Sequence, residues 1–189
     1  MRKHSKEFLQ NLTPHHGYRI LVEGNKRFVR NLKSDHDHLE MINETREGQY
    51  PFAVILSCMD SRTSVELIFD QGLGDLFSIR VAGNIVNDDI LASIEYAIKY
   101  VGSKVLMVLG HTECGAITSA KLGVKDGHIT SLLDRIQPSI TSSTLLASSS
   151  LIGYAPTSRG GSNSTGIARM AKHPAPYKRR SNCHSAHRR

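Results

Sequence analysis

The chain has 189 residues, 24 of them Lys or Arg against 17 Asp or Glu, a length that suits one domain with a core needing no disulfide staples. Three widely spaced cysteines, an odd number, argue against a disulfide framework, and the lack of an apolar run of about 18 residues argues against a membrane span. The formal net charge of +7 is uneven: all 17 acidic residues lie at or before Asp134, and residues 139–189 hold eight Lys or Arg and no acid.

The N-terminal stretch MRKHSKEFLQNLTPHH is basic but lacks an apolar centre, so no secretory signal is expected. A cytoplasmic, reducing setting is expected instead, where well-placed cysteines bind metals or catalyse more often than they bridge. Over 17–33, Ile20, Leu21, Phe28, Val29 and Leu32 form a helical stripe interrupted by Gly24. Residues 34–50 are polar and read as a loop or short helix. The run FAVILS at 52–57 is continuous, branched and apolar, the signature of a fully buried parallel strand. A short helix is expected over 64–72, stopped by Gly72, and a second strand over 76–84 running into a Gly-Asn turn. The clearest helix spans 87–102: its start is acidic, Ile90, Leu91, Ile94, Ala97, Ile98 and Val101 share a face, and Gly102 stands where it should end. KVLMVLG at 104–110 is another buried strand, leading into HTECGA and a further helix over ITSAKLG.

Strands alternating with helices predict an α/β domain with a mainly parallel central sheet flanked by helices. Ligands of such sheets bind beyond the carboxyl ends of the strands. Cys58 follows one strand, and His111 and Cys114 follow another, so residues 53 apart can meet at one rim. Two thiolates and an imidazole suit tetrahedral zinc, with a fourth position left for water or substrate. The competing reading is two incidental buried cysteines. Residues i and i+2 of an extended chain point the same way, so Cys58, Asp60 and Arg62 face one pocket if the chain stays extended. Asp60 would then ligate a metal or accept a bond from its water, with Arg62 holding the carboxylate in a bidentate pair. The alternative is an ordinary ion pair on a surface loop. Gly83, Asn84 and Gly115 are candidates for close backbone approach, and Glu113 is expected to face solvent.

The segments CMDSR, RVAGNIV, SIEYA and VLGHTECGAI, in this order and spacing, closely resemble the beta-class carbonic anhydrases. EGNKRFV at 23–29 is similar to that family's first helix, and the resemblance runs from about Pro14 to Pro138. It implies that Cys58, His111 and Cys114 are zinc ligands, with one Zn2+ per chain. It also implies that Asp60 pairs with Arg62 in an open state and leaves it to become the fourth ligand in a closed one. The implied reaction is the reversible hydration of carbon dioxide to bicarbonate and a proton, and the implied assembly is a homodimer or larger.

Past Pro138 the expected family helices, strand and apolar hairpin are not found. The Ser-, Gly- and Arg-rich texture of 139–189 suggests a shifted reading frame or an altered gene end. The expected organisation is therefore a zinc domain at 1–138 and a divergent, largely disordered basic tail at 139–189, with the C-terminal part of the family fold missing or replaced. A basic tail can neutralise phosphates, but no nucleic-acid motif accompanies it, so no specific nucleic-acid or membrane partner is expected. Three rivals stand beside the hydratase: a truncated zinc-binding relic, the same site acting on carbon disulfide or carbonyl sulfide, and a thiol protein centred on Cys58.

Overall fold

The computed structural model describes residues 5–143 and 166–168. Its centre is β1 (Ala53–Ser57), every residue of which is buried. β1 is flanked by β2 (Leu76–Arg80) and β3 (Val105–Leu109), with the three-residue β4 (Gly166–Ala168) beyond β3, giving the order β2-β1-β3-β4. All pairings are parallel. The continuous apolar run has its physical reason here, because helices cover both faces of the central strand.

On one face, Leu9 and Leu12 at α1 (Lys6–Asn11), Leu21 of α2 (Pro14–Val29) and Val65 of α4 (Val65–Ile68) pack with Phe69 on Ala53, Ile55, Val105 and Met107. On the other, Ile94 of α5 (Asp88–Glu95) and Ala97 of the π-helical turn that continues it (Tyr96–Val101) pack on Val54. A third cluster, Ala120, Leu133 and Ile136, joins α6 (Gly115–Lys121) to α7 (Gly127–Ser143). α3 (His38–Glu44) shows that the 34–50 stretch contains a short helix.

Several boundaries differ from the sequence-based expectation. α2 starts at Pro14, three residues early, because Thr13 caps it by accepting the His16 amide and Pro14 fits the first turn. It ends at Val29, before Asn31 turns left-handed at φ 56°. Gly24 does not interrupt it. It is buried where the helix crosses the chain after α4, and a Cβ there would lie 1.7 Å from the Phe69 carbonyl oxygen. β2 stops at Arg80, and Ala82–Asn84 form a 3-10 turn in place of more strand. α1 and α7 have no counterpart in the sequence-based expectation. α7 runs through Pro138, across the boundary expected there; the rest of the expected tail, 144–165 and 169–189, lies outside the described residues.

One polar network ties the α2 face together. Asp70, buried and left-handed at φ 48°, accepts from Arg27 Nε at 2.5 Å and from Ser34 N and Oγ at 3.0 and 2.9 Å, with His36 Nε2 at 3.4 Å. Burial pushes its carboxyl up, but Arg27 and Ser34 outweigh that and hold it below the ordinary value.

Two expectations follow. Gly24→Ala should lower the urea midpoint by the equivalent of about 3 kcal/mol or more at unchanged m-value, since backbone and not a pliable side chain blocks the methyl. The folded Asp70 value lies below its unfolded one. The contribution of Asp70 to stability is therefore full above the unfolded value of about 3.9 and is lost as pH falls toward the folded value. Between about pH 6 and about pH 3 the wild-type urea midpoint should fall more steeply than that of Asp70→Asn, and parallel curves would show that Asp70 is not the group responsible.

Candidate metal centre

The register decides where the chemistry sits. Ser57 pairs with both Arg80 and Leu109, so the carboxyl ends of β1, β2 and β3 are level. Cys58 leaves β1 at that rim, and His111 and Cys114 follow β3 at the same rim. The donor atoms of Cys58, His111 and Cys114 all lie within 4.8 Å of one another, the one such group of three among the described residues. Both thiols are buried and free of disulfide, with their sulfurs 4.0 Å apart. Cys183, the third cysteine, lies outside the described residues.

His111 Nδ1 is 2.8 Å from the Thr112 carbonyl oxygen. A carbonyl only accepts, so this nitrogen carries the proton and Nε2 offers a lone pair. Nε2 is buried and has no hydrogen-bond partner. A buried, unpaired nitrogen is costly, by about 1–3 kcal/mol, and a metal ion would satisfy it. Two zinc–sulfur bonds at a tetrahedral angle separate their sulfurs by about 3.8 Å, close to the separation found. Donor types, spacing and the unpartnered nitrogen all fit zinc.

Burial raises the Cys58 thiol, but His111, the backbone amides of Gly83 and Asp60, and Cys114 together hold it below the ordinary value. Gly83 is where the backbone comes close. It is left-handed at φ 68°, and a Cβ there would meet Ile136 Cδ1 at 2.5 Å. Asn84, also left-handed, donates from Nδ2 to the Leu109 carbonyl at 2.7 Å and so ties this turn to the end of β3. Gly115 has open space around it and is not required by sterics. Glu113 is exposed, as expected, and adopts φ 56° between the two donors of its segment.

Asp60 and Arg62 come together, but not through an extended chain. Thr63 N donates to Asp60 O at 3.0 Å, closing a turn over 60–63. Within it, Asp60 Oδ1 accepts Arg62 N at 3.0 Å, an Asx turn that folds Arg62 back over the carboxylate. Arg62 Nε and Nη2 then bond Oδ1 and Oδ2, each at 2.9 Å. The fork holds the Asp60 carboxyl well below the usual range, and Asp60 in turn raises Arg62. Asp60 stands outside the group of three converging donors.

Two residues of the site escaped the sequence reading. Thr63 is buried, and its hydroxyl lies 2.9 Å from the Cys58 carbonyl and 2.8 Å from that of Asp60. Arg80 reaches the same carbonyls from β2. A charged residue ending a strand beside the Gly-Asn turn was the available signal for Arg80; nothing marked Thr63.

The carbonic anhydrase family model matches residues 53–157, which reaches past Pro138. The chain is 38% identical over 141 residues to carbonic anhydrase 2 of Mycobacterium tuberculosis (strain CDC 1551 / Oshkosh), covering 70% of this chain and 67% of that one. It is 35% identical over 138 residues to the carbonic anhydrase of Mycolicibacterium smegmatis, with the same shares covered. Among solved structures it is similar to the beta-carbonic anhydrase CcaA, with a TM-score of 0.51 at 29% identity. That match covers 68% of this chain and 65% of that one, so the chain spans just under two thirds of the solved protein.

Purified protein is expected to carry one zinc per chain by elemental analysis. Cys58→Ser, His111→Ala and Cys114→Ser should each drop that to near zero while the far-ultraviolet circular dichroism of the fold persists.

Proposed function

Because the chain belongs to the beta-class carbonic anhydrase family, we propose that it hydrates carbon dioxide reversibly, CO2 and H2O giving HCO3− and H+, at the rim of β1 and β3. The observation that carries this reading is the convergence of two thiols and an unpartnered imidazole nitrogen beside a carboxylate clamped by an arginine. Cys58, His111 and Cys114 would hold one zinc per chain. When bound, zinc supplies the Lewis acidity that lets water lose a proton near neutral pH, the effect for which carbonic anhydrases are the reference case.

Asp60 supplies orientation. An ionised carboxylate has about four lone-pair positions. Arg62 takes two on Oδ1 and one on Oδ2. The position left on Oδ2 accepts a proton of the attacking water and so turns an oxygen lone pair toward the carbon of CO2. Arg62 has no contact with the reacting atoms in this scheme; it keeps the acceptor pointed. Released from Arg62, the Asp60 carboxylate would be a further residue able to hold the zinc. The product proton leaves to solvent or buffer.

Assembly into a homodimer or larger belongs to the same reading. Tyr96 and Tyr100 stack with ring centroids 5.8 Å apart and stand 58% and 80% exposed, with Leu91 also exposed on the same helical stretch. A reducing, cytoplasmic location suits the free thiols of Cys58 and Cys114.

Stopped-flow hydration on zinc-quantified protein tests the reading. Turnover above background that disappears on zinc removal supports it. One zinc per chain with no hydration would make the chain a relic, and turnover of carbon disulfide or carbonyl sulfide without that of CO2 would reassign the substrate. Activity surviving thorough zinc removal would point to thiol chemistry at Cys58. Asp60→Asn and Arg62→Ala should each lower kcat by about 10²-fold with zinc still bound.

A further inference from the structure

Behind the Asp60–Arg62 pair lies a charged side chain to which the hydration scheme gives no part. Arg80 ends β2 directly opposite Ser57, and Val81 N donates to the Ser57 carbonyl at 3.0 Å, so its backbone is fixed against the strand that delivers Cys58. From there its guanidinium reaches over the 58–63 segment. Nε donates to the Cys58 carbonyl at 3.1 Å; Nη2 donates to the Asp60 carbonyl at 2.5 Å and to Thr63 Oγ1 at 3.3 Å. All three acceptors are neutral, and two of them are backbone. The single proton of the Thr63 hydroxyl is shared between the same two carbonyls, at 2.9 and 2.8 Å.

The geometric consequence falls on Asp60. Asp60 Cα lies along the chain between the two held carbonyls, so holding both restricts the direction in which the side chain leaves the backbone. A guanidinium is a rigid planar fork that stays charged, and it sets both carbonyls at once relative to the end of β2. Arg62 orients the same carboxylate from its far end. Arg62 is 62% exposed and sits on the same 60–63 turn as Asp60, so its grip alone does not fix where that turn lies. A freed carboxylate is itself a good zinc ligand.

We infer that Arg80 is a positioning residue. On the reading that Cys58, His111 and Cys114 hold zinc, it keeps the Asp60 carboxylate on Arg62 and off the metal, so that one coordination position stays open.

Cobalt(II) in place of zinc tests this without recourse to activity, because its visible bands respond to what fills the fourth position. In the wild-type chain, azide should shift those bands. Arg80→Ala should keep one cobalt per chain and the thiolate-to-cobalt absorption, yet bind azide about tenfold more weakly, the loss expected if Asp60 occupies the position in about nine of ten molecules. Adding Asp60→Asn to Arg80→Ala should restore the wild-type azide affinity, which a merely structural role for Arg80 would not produce. Arg80→Lys, one ammonium in place of a fork, should fall between wild type and Arg80→Ala. If Arg80→Ala fails to hold cobalt, the same azide comparison on Arg80→Lys with and without Asp60→Asn decides the matter.

An Arg80 variant that holds cobalt and binds azide as wild type does, or a loss that Asp60→Asn leaves in place, overturns the inference and leaves the metal centre standing. A wild-type chain with no thiolate-to-cobalt band overturns the metal-centre reading and this inference with it.

Discussion

Parallel, in-register pairing of β1 with both of its neighbours is the constraint on which the rest of the molecule depends. Ser57 stands level with Arg80 on one side and with Leu109 on the other. Every residue that matters at the rim leaves its strand within a few positions of that line. A parallel sheet cannot be turned by tight hairpins, so each strand is followed by a crossover. The crossovers carry α4 and α5, which together with α1 and α2 from before β1 bury that strand, and the first residues of the crossovers form the site. A slip of one residue in β1 would exchange the faces of all five of its side chains and carry Cys58 away from His111 and Cys114.

The rim is assembled from short backbone devices. A left-handed Gly83 lets the Ala82–Asn84 turn approach Ile136 and present an amide to Cys58. Asn84 fastens that turn to β3. An Asx turn folds Arg62 onto Asp60, and Arg80 with Thr63 fixes the carbonyls beneath. Together these leave two thiols and one imidazole nitrogen converging, with a carboxylate held just outside them. On the proposed reading the roles are separate: three residues would hold a metal, one would orient water, and two arginines would keep that one in place.

Strand identity was legible wherever a run was long and apolar: in FAVILS because burial on both faces demands it, and in KVLMVLG although only alternate residues of that strand are buried. The 87–102 helix was legible from its acidic start, its periodic face and its Gly102 stop. Gly24 was misread because a glycine in a helical stripe looks the same from sequence whether it weakens the helix or allows a crossing. Only the Phe69 carbonyl at 1.7 Å from a hypothetical Cβ tells them apart. α7 escaped because no element was read between ITSAKLG and the end of the family resemblance at Pro138, whereas the helix starts at Gly127 and continues through Pro138 to Ser143.

By itself, the sequence determined which residues were candidates. Residue type and positions after predicted strands placed Cys58, His111 and Cys114 at one rim with Asp60 and Arg62 nearby but left incidental cysteines and a surface ion pair as rivals; the family motifs, in their order and spacing, are what implied a zinc site. The tertiary structure alone decided how Asp60 meets Arg62, through a turn and not along an extended strand. It alone decided that Nε2 is the nitrogen His111 offers, and that Arg80 and Thr63 belong to the site. The Asp60–Arg62 turn is closed by the Asp60 carbonyl and carboxylate, and the other outcomes depend on hydrogen bonds to backbone carbonyls. Every residue has such a carbonyl, so no residue pattern can show which carbonyl a side chain from a neighbouring strand will reach.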